Sequence, residues 1–152
     1  MNQESSIRRS VKPSKGCPFC EILAGTRAAL LIAEAPAVVA FLDHHPYSRG
    51  HALVVPRRHY RDLLAVPPRV VGEMFRLARR LGAAAVSPGG LAAHGFHLGV
   101  NTGAAARQVV FHAHVHVIPR WHGDGMDFAT RLRLSPRAQT TAAEAYRRGL
   151  AT

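Results

Sequence analysis

The chain has 152 residues, 47% of them hydrophobic, which suits one domain with a single core and short tails. No run approaches the roughly 18 apolar residues of a membrane span, and no apolar segment follows the basic N-terminus as in a secretory signal, so a cytoplasmic protein is expected. The net charge of +11, from 20 Lys and Arg against 9 Asp and Glu, suits an anionic ligand, but the arginines are scattered and select none.

Residues 1–15 are polar and basic without hydrophobic period and read as a disordered arm. Cys17 and Cys20 follow in C-x-x-C spacing. In a reducing compartment this spacing suits a metal clip or a redox pair before a structural disulfide, and an unmetallated pair stays open as well. Residues 18–25 read as a short helical turn closed by Gly25. Residues 37–43, rich in Val and Phe, predict a strand. The breakers Pro46, Ser48 and Gly50 predict a turn, and residues 51–56 a second strand completing a hairpin. From Pro67, apolar residues at positions 70, 71, 74, 77, 78 and 81 recur at three- and four-residue spacing. They predict an amphipathic helix to about Val86, ended by Ser87-Pro88-Gly89-Gly90. Residues 96–101 predict a strand, 102–107 a loop, and 108–119 one long strand; the segment 135–152 reads as a possibly helical tail. Strands in hairpins with one main helix imply an α+β domain on an antiparallel sheet, spanning 16–134.

The informative segment is His112-Ala113-His114-Val115-His116. Alternation along a strand places the three histidines on one face, about 6.6 Å apart, and Ala113, Val115 and Val117 on the other. Three imidazoles in a row suit a metal site or a histidine nucleophile flanked by proton donors; ordinary surface histidines are the plain alternative. Spacing alone does not choose among these.

The flanking residues narrow the choice. Gln108 precedes the histidines by four residues, Asn101-Thr102-Gly103 lies upstream, and Phe41-Leu42-Asp43 and Gly50-His51-Ala52-Leu53-Val54-Val55-Pro56 lie earlier still. From about Gly16 to Gly125 this succession resembles the histidine triad family. The resemblance implies a five-stranded antiparallel sheet with two helices, pairing into a homodimer with a ten-stranded sheet. It implies hydrolysis or transfer of nucleoside monophosphate groups, with His114 attacking the α-phosphorus to give a covalent nucleotidyl-histidine. His116 and His112 would flank the phosphate, and His51 would be the further active-site histidine. Asp43 would hold the ribose hydroxyls, and Asn101 and Gln108 the phosphate; Phe19, Ile22 and Phe41 are candidates for an apolar base pocket. The substrate expected is an AMP conjugate, a phosphoramidate or a dinucleoside polyphosphate; the run Pro119–Gly125 resembles relatives that cleave the latter.

Transferring relatives often carry Gln in place of the third histidine, so His116 favours hydrolysis. A specialised nucleotide-linked metabolite, or a nucleotide- or nucleic-acid-binding module with little turnover, are the competing readings. Aromatics at 7% and unclustered speak against nucleic acid. Two positions depart from the family pattern: Arg107 stands where a small residue, often glycine, is usual, and Val109 where Ser or Thr is usual. The C-x-F-C at Cys17–Cys20 resembles the zinc-bearing branch, which implies a structural zinc held by Cys17, Cys20, His59 and His112. His44, His45, His94, His97 and His122 have no spacing that compels a role and read as surface or turn residues.

Overall fold

The computed structural model describes residues 13–152; most of the arm expected at 1–15 lies outside these residues. The elements in chain order are α1 (Pro18–Ala24), β1 (Leu31–Glu34), β2 (Val38–Leu42), β3 (Ala52–Pro56), α2 (Pro68–Val86), β4 (Gly95–Gly99), β5 (Val115–Arg120) and α3 (Pro136–Leu150). The strands form one antiparallel sheet in the order β1-β2-β3-β5-β4. The fold is α+β, with three helices where the family resemblance implied two.

Local chemistry explains each start and stop. Cys17 caps α1, its Sγ accepting the Cys20 N–H, and Pro18 occupies the first turn, where its missing N–H costs nothing. Gly25 closes α1 at φ 79°, a left-handed conformation that glycine adopts without strain. Every residue of β2 and β3 is buried, because the sheet is covered on both faces; continuous apolar runs replace alternation there. α2 buries Val70, Met74, Leu77, Ala78 and Leu81 on one stripe, at the spacing the sequence displays.

Two apolar clusters lie on opposite sides of the sheet. One packs Val38, Ala40, Leu42, Val54, Ala113, Val115 and Val117 against α2 and α3. The other packs Val39, Phe41, Leu53 and Val55 against Cys17, Phe19 and Cys20. The first is purely a core. The second forms the floor beneath the polar groups of the site.

The segment 135–152 contributes Ala142, Ala143, Ala145 and Tyr146 to the main core. Ser135 caps α3 through the Ala138 N–H, and the buried Tyr146 hydroxyl donates to the Gly50 carbonyl at 2.6 Å. Tyr146→Phe leaves that carbonyl without its buried donor. An expected loss of about 1–3 kcal/mol of stability, read from urea unfolding, follows; an unchanged midpoint would show that the bond contributes nothing.

Two strand expectations need correction. The ladder predicted for 108–119 covers only Val115–Arg120. Before it, the backbone is tied to loops instead: the Ala113 N–H donates to the Tyr60 carbonyl at 2.8 Å, and the Gln108 N–H to the Gly103 carbonyl at 3.1 Å. The alternation of faces persists without the ladder. β1 was not foreseen at all. It is four residues long and buries only Ile32, so it carries no readable period.

Candidate active site and metal centre

The three histidines of the 112–116 run share the face opposite the main core, and all are buried. They divide between two adjoining centres. His114 and His116 are neighbours, with ring centroids 4.8 Å apart. His112 turns toward Cys17, Cys20 and His59.

In the first centre the tautomers follow from fixed backbone partners. His114 Nδ1 lies 2.7 Å from the His112 carbonyl, which can only accept; Nδ1 therefore carries the proton and Nε2 the lone pair. The Tyr47 N–H donates to His51 Nδ1 at 3.0 Å, leaving the proton of a neutral ring on His51 Nε2. That Nε2–H donates to His116 Nδ1 at 2.9 Å, so the proton of His116 resides on Nε2. A bare nitrogen on His114 thus stands beside an N–H donor on His116. Burial dominates the charge state: it pushes His114 below the ordinary histidine value, His116 down to about 3 with help from His114, and His51 well down. All three rings are neutral near pH 7.

The stability consequence has a definite sign. Histidines whose folded value is depressed bind fewer protons folded than unfolded as pH drops below about 6.5. Stability is therefore full above about 6.5 and is lost as pH falls toward about 3, each ring adding a slope of up to about 1.4 kcal/mol per pH unit. Urea midpoints measured from pH 7 to 4 should decline, and His116→Gln, which cannot titrate, should flatten the decline. An equal slope in the variant would contradict the neutral assignment of His116.

Around these rings, Asp43 is nearly buried. Its Oδ1 accepts the His45 N–H at 2.9 Å, and its Oδ2 lies 3.8 Å from His51 Nε2 and 3.4 Å from Arg131 Nη1. Phe19 meets His114 edge-on at 5.1 Å and Phe41 at 5.5 Å. Phe41 is fully buried and Ile22 half-buried against the same cluster, so both form wall rather than open pocket. Asn101 is half-exposed, its Nδ2 donating to the Arg107 carbonyl at 3.4 Å.

Gln108 differs from expectation. Its Nε2 donates to the carbonyls of Arg61 and Val110, and its Oε1 accepts the Gly103 N–H. Both amide protons are spent on closing the loop, so none faces a phosphate. Val109, where the family carries a hydroxyl, points to solvent at 79% exposure. Arg107 adopts φ 64°, a left-handed conformation better suited to the glycine usual there.

Tyr47 and Arg131 are the site residues that sequence reasoning missed. The Tyr47 ring stacks on His51, with centroids 5.5 Å apart at 13°, and the Arg131 guanidinium lies over the Tyr47 ring, 3.7 Å from its centroid. Tyr47 sits in a turn that was recognised, without a signal for stacking. Arg131 comes from an irregular segment with no motif.

The second centre gathers Cys17, Cys20, His59 and His112, whose donor atoms all lie within 4.8 Å of one another. His112 Nε2–H donates to the Pro56 carbonyl at 2.9 Å, which leaves Nδ1 bare toward the cluster. Its separations are 3.5 Å to Cys17 Sγ, 3.6 Å to Cys20 Sγ and 3.2 Å to His59 Nδ1, and Cys20 Sγ to His59 Nδ1 is 3.4 Å. A tetrahedron with zinc–sulfur bonds near 2.3 Å and zinc–nitrogen bonds near 2.05 Å has edges of about 3.6 Å between S and N and about 3.35 Å between N and N. The donor set fits zinc in both chemistry and spacing. Burial also pushes the Cys20 thiol up and His112 down to about 4, so no positive charge of the protein's own balances a thiolate there.

The chain matches the HIT domain family over residues 25–123. It is a member of the histidine triad family. An uncharacterized HIT-like protein of Mycobacterium tuberculosis is 40% identical over 118 residues, covering 78% of this chain and 81% of the relative. An adenylylsulfatase of Arabidopsis thaliana is 39% identical over 117 residues, covering 77% of this chain and 58% of the longer plant protein. Among solved structures, a zinc-bound histidine triad family protein from Mycobacterium smegmatis superposes with a TM-score of 0.80 at 38% identity, covering 90% of this chain and 94% of its own. A histidine triad nucleotide-binding protein from Sulfolobus tokodaii also gives 0.80, at 28% identity, covering 89% and 92%. No helix among the described residues is long and apolar enough to cross a membrane.

Proposed function

We propose that this histidine triad protein hydrolyses the α-phosphate linkage of AMP conjugates through a nucleotidyl intermediate on His114. The observation that carries the reading is the 2.7 Å bond from His114 Nδ1–H to the His112 carbonyl, which presents a bare Nε2 next to the His116 Nε2–H. His114 Nε2 attacks the α-phosphorus; the N–P bond forms as the bond to the leaving group breaks, and the leaving group departs with its electron pair. Water then attacks phosphorus and releases one proton to solvent, the N–P bond breaks, and His114 recovers its lone pair. The positive charge on the nucleotidylated ring is stabilised by the His112 carbonyl, and the His116 N–H donates to oxygen where negative charge develops.

Asp43 and the 19–41 aromatic wall bind nucleoside in this scheme, Asn101 stands near the phosphate, and Gln108 shapes the loop. Cys17, Cys20, His59 and His112 hold a zinc ion, which with four protein ligands is structural. β4 lies at the sheet edge with Phe96 and Leu98 partly exposed, the place where a second copy would extend the sheet into a dimer.

A specialised conjugate is the second reading, favoured by the similarity to the plant adenylylsulfatase. AMP release from adenosine 5′-phosphoramidate, diadenosine tetraphosphate and adenosine 5′-phosphosulfate, measured side by side, separates the two. Preference for the phosphosulfate would assign the second reading, and no release from any of the three by folded, zinc-replete protein would sink the hydrolase.

A further inference from the structure

Arg131 belongs to a segment beyond the residues matched by the family, yet its guanidinium lies in the site. That segment is fixed at several points. The Leu132 N–H donates to the Pro46 carbonyl at 2.7 Å, Asp127 accepts the N–H groups of Ala129 and Thr130, and Phe128 meets Tyr47 edge-on at 5.5 Å. The arginine is thereby placed against Tyr47 and beside Asp43.

The way Arg131 is held decides what it can still bind. The Tyr47 ring takes the face of the guanidinium. One nitrogen, Nη1, reaches the His45 carbonyl at 2.8 Å and Asp43 Oδ2 at 3.4 Å. Nε and Nη2 have no protein partner among the described residues, and the side chain is 38% exposed. An arginine stacked by its face keeps its in-plane fork free, and that fork matches the oxygens of a phosphate. The acidic groups nearby are already engaged: Asp124 holds Arg120 and the N–H groups of Trp121 and Met126, and Asp127 caps its own turn.

Asp43 is the group proposed above to meet the ribose hydroxyls, so the free fork stands at the ribose end of the site rather than at the scissile phosphate. A carboxylate alone would repel an anionic ribose; a guanidinium beside it reverses that preference, as arginines near the ribose of other nucleotide sites do for a 2′-phosphate. We infer that Arg131 is a specificity-determining residue that selects conjugates whose ribose carries a phosphate on its 2′ or 3′ oxygen. The inference rests on the nucleotide reading of the site.

Calorimetric binding at fixed ionic strength of adenosine 5′-monophosphate, adenosine 2′,5′-bisphosphate and adenosine 3′,5′-bisphosphate tests it. One bisphosphate should bind at least about tenfold more tightly than the monophosphate, as expected for a charged fork contact, and its identity assigns the ribose oxygen. Arg131→Ala should abolish the preference and Arg131→Lys should retain part of it. Arg79→Ala, on the exposed face of α2, should keep it in full, which separates a local contact from net charge. Equal binding of the three by the native protein, or a preference that survives Arg131→Ala, overturns the inference while leaving the nucleotide reading intact. Failure of all three to bind overturns both.

Discussion

Replacing His114 with alanine is expected to lower AMP release by more than about 10³-fold, the scale on which loss of a covalent nucleophile acts. The imidazole does two things that no neighbour can take over. Its Nδ1–H is committed to the His112 carbonyl, so its lone pair has one direction available. Burial keeps it unprotonated near pH 7, so no proton has to be removed before attack. His116 is no substitute, because its Nδ1 is occupied by His51 and its Nε2 bears a proton. His112 is no substitute either, since its bare nitrogen faces the cysteines. Native protein quenched during turnover should carry a nucleotidyl adduct by mass spectrometry, and His114→Ala should carry none. The ring touches Phe19 but takes no part in the main core or the sheet ladder, so the variant should keep its fold by circular dichroism. A folded variant retaining more than a tenth of the native rate would remove His114 from the chemistry and return the site to a binding role.

The sequence made much of this arrangement legible, for reasons that differ by residue. Period two through His112, His114 and His116 depends only on backbone geometry, so their common face could be read even though the ladder begins at Val115. That His112 parts from the other two is a matter of loops meeting in space: Cys17 lies 95 residues away from it and His59 lies 53 away. Only the likeness to zinc-bearing relatives suggested that grouping. Gln108 illustrates a limit of residue-type reasoning. An amide beside a phosphate site suggests a donor, but both of its N–H groups had nearer carbonyls to satisfy. Arg131 was illegible because it reaches Asp43 across 88 residues from a stretch with neither period nor motif. β1 escaped notice because a four-residue strand at an edge buries too little to leave a pattern.

Removing zinc is expected to lower the melting temperature by about 8–16 °C. An ion present at a thousand times its dissociation constant stabilises the fold by about 4 kcal/mol, and for a chain of this size each kcal/mol moves the midpoint by about 2–4 °C. The loss should be this large because the cluster ties together three separate parts of the chain. Cys17 and Cys20 stand at the start of the seven-residue α1, His59 lies in the turn after β3, and His112 lies in the loop before β5. Without the ion, the buried thiols and the bare Nδ1 of His112 would face one another and the half-buried His59 with no cation between them. Native protein should contain one zinc per chain by elemental analysis, and the double variant Cys17→Ser, Cys20→Ser should melt like chelated native protein. The effect should also reach the rate. The carbonyl that orients His114 is that of His112, so a His112 released from the cluster lets its own backbone, and with it the His114 tautomer, relax. Melting and AMP release should therefore fall together on chelation and return together when zinc is restored. A melting curve indifferent to chelation, in protein that elemental analysis shows to be metal-free, would leave the four residues as an unmetallated knot and take the coupling to His114 with it.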